Sequence, residues 1–207
     1  MKTFWRPLPN RPFRNSLAAG LFAAGTAMSL ALPAHAASGT DGAVDVVNGA
    51  VEQTMDAVAD ASISDTEAEA ILAHVDLPMV AKFALGKTWS QISEAEQANY
   101  TTAFEIYAKA QIKQHLSSLS DAEVEVEDVV SRKDGDAIVV TKVATDEDPS
   151  QKISWRVIED GDWGIVDIQV QDVWFAIQQR EQFQAVLDQN NGDIDALIAQ
   201  LNEGALG

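Results

Sequence analysis

Valines set the first rhythm of this chain. Val44, Val47, Val51 and Val58, with Met55 beside them, recur at helical spacing through "AVDVVNGAVEQTMDAVADA", so this stretch is expected to form a helix with one apolar stripe. Ser64, followed three residues later by Glu67, is a capping box that opens a second helix through about Val75. Asp76 and Pro78 suit the first turn of a third helix, which Gly86 stops. Ser93 and Glu96 repeat the capping box and begin a long helix from Glu94 to about Leu119. Projected at about 100° per residue, Tyr100, Phe104, Tyr107, Ala108, Ile112, Leu116 and Leu119 fall on one broad arc of that helix. Gln111 and His115 fall inside the same arc. Buried polar side chains cost free energy unless something satisfies them, so either the core supplies partners or the arc faces a cavity with polar content.

After Asp121 the period changes to two. "AEVEVEDVV" alternates valines with Glu123, Glu125 and Glu127, and "DGDAIVVTKVAT" opens on a turn and alternates again. "QKISWRVIE" places Ile153, Trp155 and Val157 on one face, and Asp160 with Gly161 turns the chain into "WGIVDIQV". Four strands joined by short polar turns predict an antiparallel meander. "VWFAIQQREQFQAVLDQ" then reads as a helix, Gly192 breaks it, and Asp193 caps a short last helix, "IDALIAQLN". Helices, then sheet, then helices define an α+β fold in which helices cover one face of a curved four-stranded sheet. Almost no loop separates the last strand from its helix. That joint brings Asp167 and Arg180 to opposite sides of one corner. They either pair and brace it, or leave Arg180 a free guanidinium able to bond two oxygens at once. Lys82, Lys87 and Arg156 are weaker cations of the same kind.

The first 36 residues do not belong to this pattern. Lys2, Arg6, Arg11 and Arg14 precede the small-residue apolar run "SLAAGLFAAGTAMSLAL" and the sequence Ala34-His35-Ala36, as in a secretory signal peptide cut near Ala36/Ala37. No cysteine follows the cut, which argues against a lipoprotein anchor. Residues 37–42 are expected to be a disordered lead-in, and 43–203 a single domain. The leader holds four of the chain's 14 basic residues and none of its 32 acids, so the remainder carries a formal charge of −22. Such a field repels nucleic acid and anionic bilayers and favours basic docking surfaces on proteins.

Chemistry is thinly supplied. Beyond the leader His74 and His115 are the only histidines, and neither belongs to a metal-binding spacing. Glu123, Glu125 and Glu127 read as a solvated strand face. Asp146, Glu147 and Asp148 fall in a loop that lacks the pattern of a calcium site. Neither a phosphate-binding glycine loop nor a nucleophile elbow is present. Aromatic residues, by contrast, are spread over both the covering helices and the sheet, so two facing apolar layers are available.

Two blocks resemble a known family. "FALGKTWSQISEAEQANYTTAF" is similar to the L-G-x-x-W … Q-x-x-x-F segment of the MlaC or toluene-tolerance family of periplasmic phospholipid carriers, through Leu85, Gly86, Trp89, Gln97, Tyr100 or Thr101, and Phe104. The later block is similar to the family's G-x-W strand and R-x-x-F helix, through Gly161, Trp163, Ile165 or Val166, Asp167, Ile168, Val170, Arg180 and Phe183. The order of elements agrees from about Val44 to Leu201. Relatives usually place a glycine and a serine in the strand-to-helix corner, where this chain has Gln171, Asp172 and Trp174, and often a tyrosine where Trp155 stands.

The resemblance implies a cystatin-like, cone-shaped fold around an apolar cavity, with a glycerophospholipid as ligand and no cofactor, metal or catalysis. It implies a soluble periplasmic shuttle, auxiliary to an ABC-type lipid transporter that maintains outer-membrane lipid asymmetry. Its partners would be an inner-membrane ABC complex with a substrate-binding membrane subunit and an outer-membrane lipoprotein complex. The residues expected to hold lipid are Phe83, Tyr100, Phe104, Tyr107, Ala108 and Ile112 from the helices; Val139, Trp155, Val157, Ile168 and Val170 from the sheet; and Phe175 and Arg180 beyond the joint. Three alternatives stay open: an enzyme on the same fold with Asp167 or His115 as base, an adaptor with a filled core, and a hopanoid-type cargo.

Overall fold

The sheet has five antiparallel strands where the periodicity predicts four, and they follow one another in chain order. A computed structural model describes residues 39–59, 62–116, 122–145 and 150–204. The leader, Leu119 and the acidic loop at Asp146 to Asp148 lie outside the described residues. The strands are β1 (Glu123–Lys133), β2 (Asp136–Ala144), β3 (Gln151–Asp160), β4 (Asp162–Val170) and β5 (Val173–Trp174). β5 is the one that alternation misses. Two residues are too few to show a period, and it exists because Val170 pairs with Val173 across a tight turn. Gln171 and Asp172 hold that turn at φ 50° and 63°, the left-handed region that a two-residue primed turn requires and that glycine or asparagine adopts more readily.

The helices are α1 (Asp41–Val58), α2 (Asp65–Leu72), α3 (Leu77–Leu85), α4 (Glu94–His115), α5 (Phe175–Gln189) and α6 (Ile194–Asn202), with a 3₁₀ turn over Gly86–Ser90. Both expected capping boxes form: Ser64 and Ser93 each accept from the backbone N–H three residues on, while Glu67 and Glu96 reach back to the cap. Several expected bounds change: α4 ends at His115 rather than near Leu119, and Val173 and Trp174, read as the start of a helix, form β5 instead. Asp41 and Gly42, assigned to the lead-in, already belong to α1. α2 stops at Leu72 rather than Val75, because Val75 leaves the helix to bridge Ile165 of β4; the Ile165 N–H donates to the His74 carbonyl and the Asp76 N–H to the Ile165 carbonyl.

Packing divides the apolar residues into separate groups. α1 lies on the inner face of the sheet, with Ala43, Val47 and Ala50 against Ala137, Val139, Val157 and Ile165. At its start Gly42 packs against Trp163, whose ring would have to shift to admit a methyl group there, 2.4 Å away. α3, α4, α5 and α6 make a second group around Tyr100, Phe104, Tyr107 and Phe183, whose rings meet at 6.0 to 6.3 Å, three of them edge-on to Phe183. α2 is held on α4 by Ile71 near Ile112 and by ion pairs from Lys109 to Glu69 (2.8 Å) and from Lys113 to Asp65 (2.6 Å). A bulge in β4 sets the inner face of the sheet: Trp155 pairs with Ile168 and Val157 with Ile165, leaving Val166 as the extra residue. Without it Ile165 and Ile168, three apart, would point to opposite faces.

Candidate functional site

The separate groups leave a space between them. A cavity of about 310 Å³ lies where α1, α2, α3 and α4 face β3, β4 and the start of α5. α4 supplies one wall with Phe104, Tyr107, Ala108, Gln111, Ile112, His115 and Leu116; the sheet supplies Trp155, Ile165, Asp167 and Ile168; Phe175 closes the corner. Ala50 and Thr54 of α1 and Ile71, Leu72, Val75, Leu77 and Val80 of the α2–α3 region complete the lining. The surface is almost wholly apolar. Its few polar groups are mostly engaged within the protein: the Thr54 hydroxyl donates to the Ala50 carbonyl (2.7 Å), and the Tyr107 hydroxyl to Gln179 Oε1 (2.8 Å). Gln111 and His115 lie on the lining, so the polar pair on the α4 arc faces a cavity rather than a closed core. His115 is exposed and marks where that cavity meets solvent.

Seven of the expected lipid-contacting residues come together on this lining: Phe104, Tyr107, Ala108, Ile112, Trp155, Ile168 and Phe175. The others stand elsewhere. Tyr100 is fully buried in the aromatic group and donates to the Ala81 carbonyl (3.1 Å). Val139 and Val157 are fully buried under α1. Val170 ends β4 at the tight turn. Phe83 lies outside the lining with the Arg156 guanidinium 5.9 Å from its ring centre. Of the residues following the joint, Val173 and Ile177 face solvent, about half exposed. The residues of α1 to α3 that line the cavity carry no sequence signal of it, because nothing in their own helical pattern distinguishes a wall from a packed stripe.

The corner is braced differently from either expectation. Asp167 does not pair with Arg180. Its Oδ1 accepts from the Ile168 N–H and from the Ala176 N–H in the first turn of α5, both at 3.0 Å. α5 begins after Trp174 without a capping side chain of its own, so the preceding strand supplies the cap. Burial pushes the Asp167 carboxyl above its ordinary range, opposed by those two N–H groups and by the charges of Arg156 and Arg180. Arg180 instead donates from Nε (3.1 Å) and Nη2 to the Phe83 carbonyl in the last turn of α3. Gln184, one turn on, donates to the Leu85 carbonyl (3.4 Å). These α5 side chains thus satisfy carbonyls that the end of α3 leaves open. Gly86 explains why leucine-glycine and arginine occur together: at φ 63°, a side chain there would start 2.8 Å from Arg180 Nε. Arg156, the other cation near the corner, is bonded to the buried Asp136 at 3.1 and 3.3 Å.

Fold and site together define a helix-covered, curved antiparallel sheet that keeps an apolar cavity under its cover. The chain belongs to the MlaC family: the family model, described as MlaC protein, matches residues 43–203. In structure it is similar to a phospholipid-binding protein from Ralstonia solanacearum solved in complex with a phospholipid. The two share 18% sequence identity with a TM-score of 0.65, over 77% of this chain and 94% of that chain. At that identity the likeness speaks for the fold. No curated protein matches the sequence. Among the described residues no helix is long and apolar enough to cross a membrane, and no three His, Asp or Glu side chains gather as metal ligands would.

Proposed function

We propose that the protein is a soluble periplasmic carrier that shelters phospholipid acyl chain in its cavity and passes lipid between the outer and inner membranes. The observation that carries this reading is the apolar cavity between sheet and helices in a chain of the MlaC family. The Ralstonia solanacearum protein of the same fold, solved with a phospholipid, supports it. Transfer of a sixteen-carbon tail into water costs about 13 kcal/mol at ~0.8 kcal/mol per methylene. A dry wall of Ile, Leu, Val and aromatic side chains nearly cancels that cost. Loading from a bilayer is then close to neutral, and direction belongs to donor and acceptor machines. Those are an outer-membrane lipoprotein complex and an inner-membrane ABC transporter with a substrate-binding membrane subunit. The charge of −22 beyond the leader favours basic docking surfaces on such partners over direct contact with an anionic bilayer. No bond is made or broken. Asp167, the acid on the lining, is occupied as the cap of α5.

Extraction of the purified protein with organic solvent, followed by mass spectrometry, tests the reading. Stoichiometric phospholipid is expected, and an empty protein that also takes up none from vesicles would overturn it. Osmotic-shock fractionation tests the compartment, with the shortened chain expected in the shock fluid.

A further inference from the structure

One carboxyl stands on an otherwise greasy wall. Among the described lining residues Asp167 is the only acid, and it borders the same space as Trp155, Ile168 and Phe175. Its two oxygens are served unequally. Oδ1 accepts from the Ile168 and Ala176 N–H groups, whereas among the described residues no donor reaches Oδ2.

The charges around it help only from a distance. Arg156 on β3 commits its guanidinium to buried Asp136 at 3.1 and 3.3 Å, and Arg180 on α5 donates to the Phe83 carbonyl, so neither forms an ion pair with Asp167. Across the cavity α4 presents two titratable groups, the Tyr107 hydroxyl bonded to Gln179 and His115 at the mouth. The lining residues of α1, α2 and α3 are uncharged, and β5 brings only Val173 and Trp174. Burial already pushes the Asp167 carboxyl above its ordinary range, against the pull of the two N–H groups and the two guanidiniums.

Water entering an open cavity solvates a carboxylate on its wall, but a methylene chain offers no hydrogen bond in exchange. Filling the cavity therefore penalises the ionised form and leaves the neutral acid almost untouched.

We propose that lipid loading and protonation of Asp167 are linked, so that the loaded carrier holds one more proton than the empty one and grips its lipid more tightly as pH falls. The proposal rests on the carrier reading and adds a condition on when the cavity fills. Loading shifts the carboxyl further toward its acid form. The gain in affinity is thus fully present below the empty protein's pKa, fades by about tenfold per pH unit above it, and is gone once pH passes the loaded protein's pKa. The linkage also runs in reverse: a cation that a docking partner brings to this corner favours the ionised carboxyl and hence release of the lipid.

The test uses the full chain, purified after secretion, stripped of lipid and incubated with vesicles of palmitoyl-oleoyl phosphatidylcholine. Lipid per protein is counted from about pH 5 to about pH 8, a range that lies above the ordinary Asp value and spans that of His. Proton uptake is read from an indicator dye in weakly buffered solution. Loading is expected to take up as much as one proton per protein at the acid end and to weaken by about threefold or more toward the alkaline end. Asp167→Asn, which keeps an acceptor for the Ala176 N–H, is expected to load without proton uptake and equally well across the range. Loading of the unaltered protein with no proton uptake and no weakening would overturn the coupling while leaving the carrier reading intact, as would an asparagine variant that still takes up the proton. No lipid on the protein at any pH would overturn both. His115→Gln keeps the proposal testable even if the asparagine variant does not fold: uptake that survives in it supports Asp167, and uptake lost with it would assign the proton to His115 and overturn the proposal.

Discussion

α4 divides the molecule into a filled half and a hollow half. Around Tyr100, Phe183 of α5 and Leu197 and Leu201 of α6 close in as a packed cluster. From Phe104 onward one side of the same helix faces Trp155, Ile168 and Phe175 across a space. Both halves are lined by apolar side chains. Hollowness here comes from how far apart the backbones are held, and the spacers are polar. Asp167 fixes the start of α5 to β4, and Arg180 and Gln184 fix α5 to the end of α3. Hydrophobic contact alone would collapse such a space; directional bonds to backbone groups resist that, and breaking the part-buried ones from Asp167 and Gln184 would leave backbone groups unpaired.

Substitutions in the two halves should therefore behave differently. The largest effect is expected for Phe183→Ala in the filled half, where the ring is fully buried against three aromatic neighbours; urea denaturation should show a loss of about 3–5 kcal/mol. Next comes Arg156→Ala. It strips the bidentate partner from buried Asp136 and leaves only Arg132 at 3.8 Å, for a loss of about 2–3 kcal/mol by the same measurement.

A matched pair sharpens the contrast further. Val139→Trp, in the closed layer under α1, should cost about 1–3 kcal/mol or more through overpacking. Ala108→Trp projects into the hollow, so it should leave stability nearly unchanged while abolishing vesicle-to-protein lipid uptake. If both lose stability equally and uptake survives, the halves do not differ.

The smallest effect concerns the spacer at the corner. Asp167→Ala should cost about 1 kcal/mol by uncapping α5, whereas Asp167→Asn keeps an acceptor for the Ala176 N–H. Because burial raises the carboxyl's pKa in the folded protein, the contribution of this group is fully present below its unfolded value near 3.8 and fades as pH rises through the folded value. The asparagine variant lacks that fading. Thermal melts should place it level with or above the parent at neutral pH, with the gap closing as pH falls toward 3.8; a widening gap would show the acid to be stabilised by its charged form.

Much of this architecture is legible in the linear order of residues. Both capping boxes, the period change beyond Asp121 and the break at Gly192 depend on neighbours within four residues, so α2, α4, the four long strands and the break between α5 and α6 follow directly. The arc on α4 likewise holds four of the seven expected residues that reach the cavity: Phe104, Tyr107, Ala108 and Ile112. Other features escape local reading. β5 is too short to show a period. Val157 and Trp155 share a strand face in any projection, yet Val157 is fully buried under α1 while Trp155, only partly covered, also lines the cavity. Arg180 looks like a free cation until the α3 carbonyl it serves, 97 positions away, is brought beside it.

Sequence alone determined which segments become helix or strand and which of their faces are greasy, because capping, periodicity and turn chemistry are decided between near neighbours. Only the tertiary structure decided that two such faces stop short of touching, since that gap depends on bonds between groups far apart in the chain, such as Asp167 with the start of α5 and Arg180 with the end of α3.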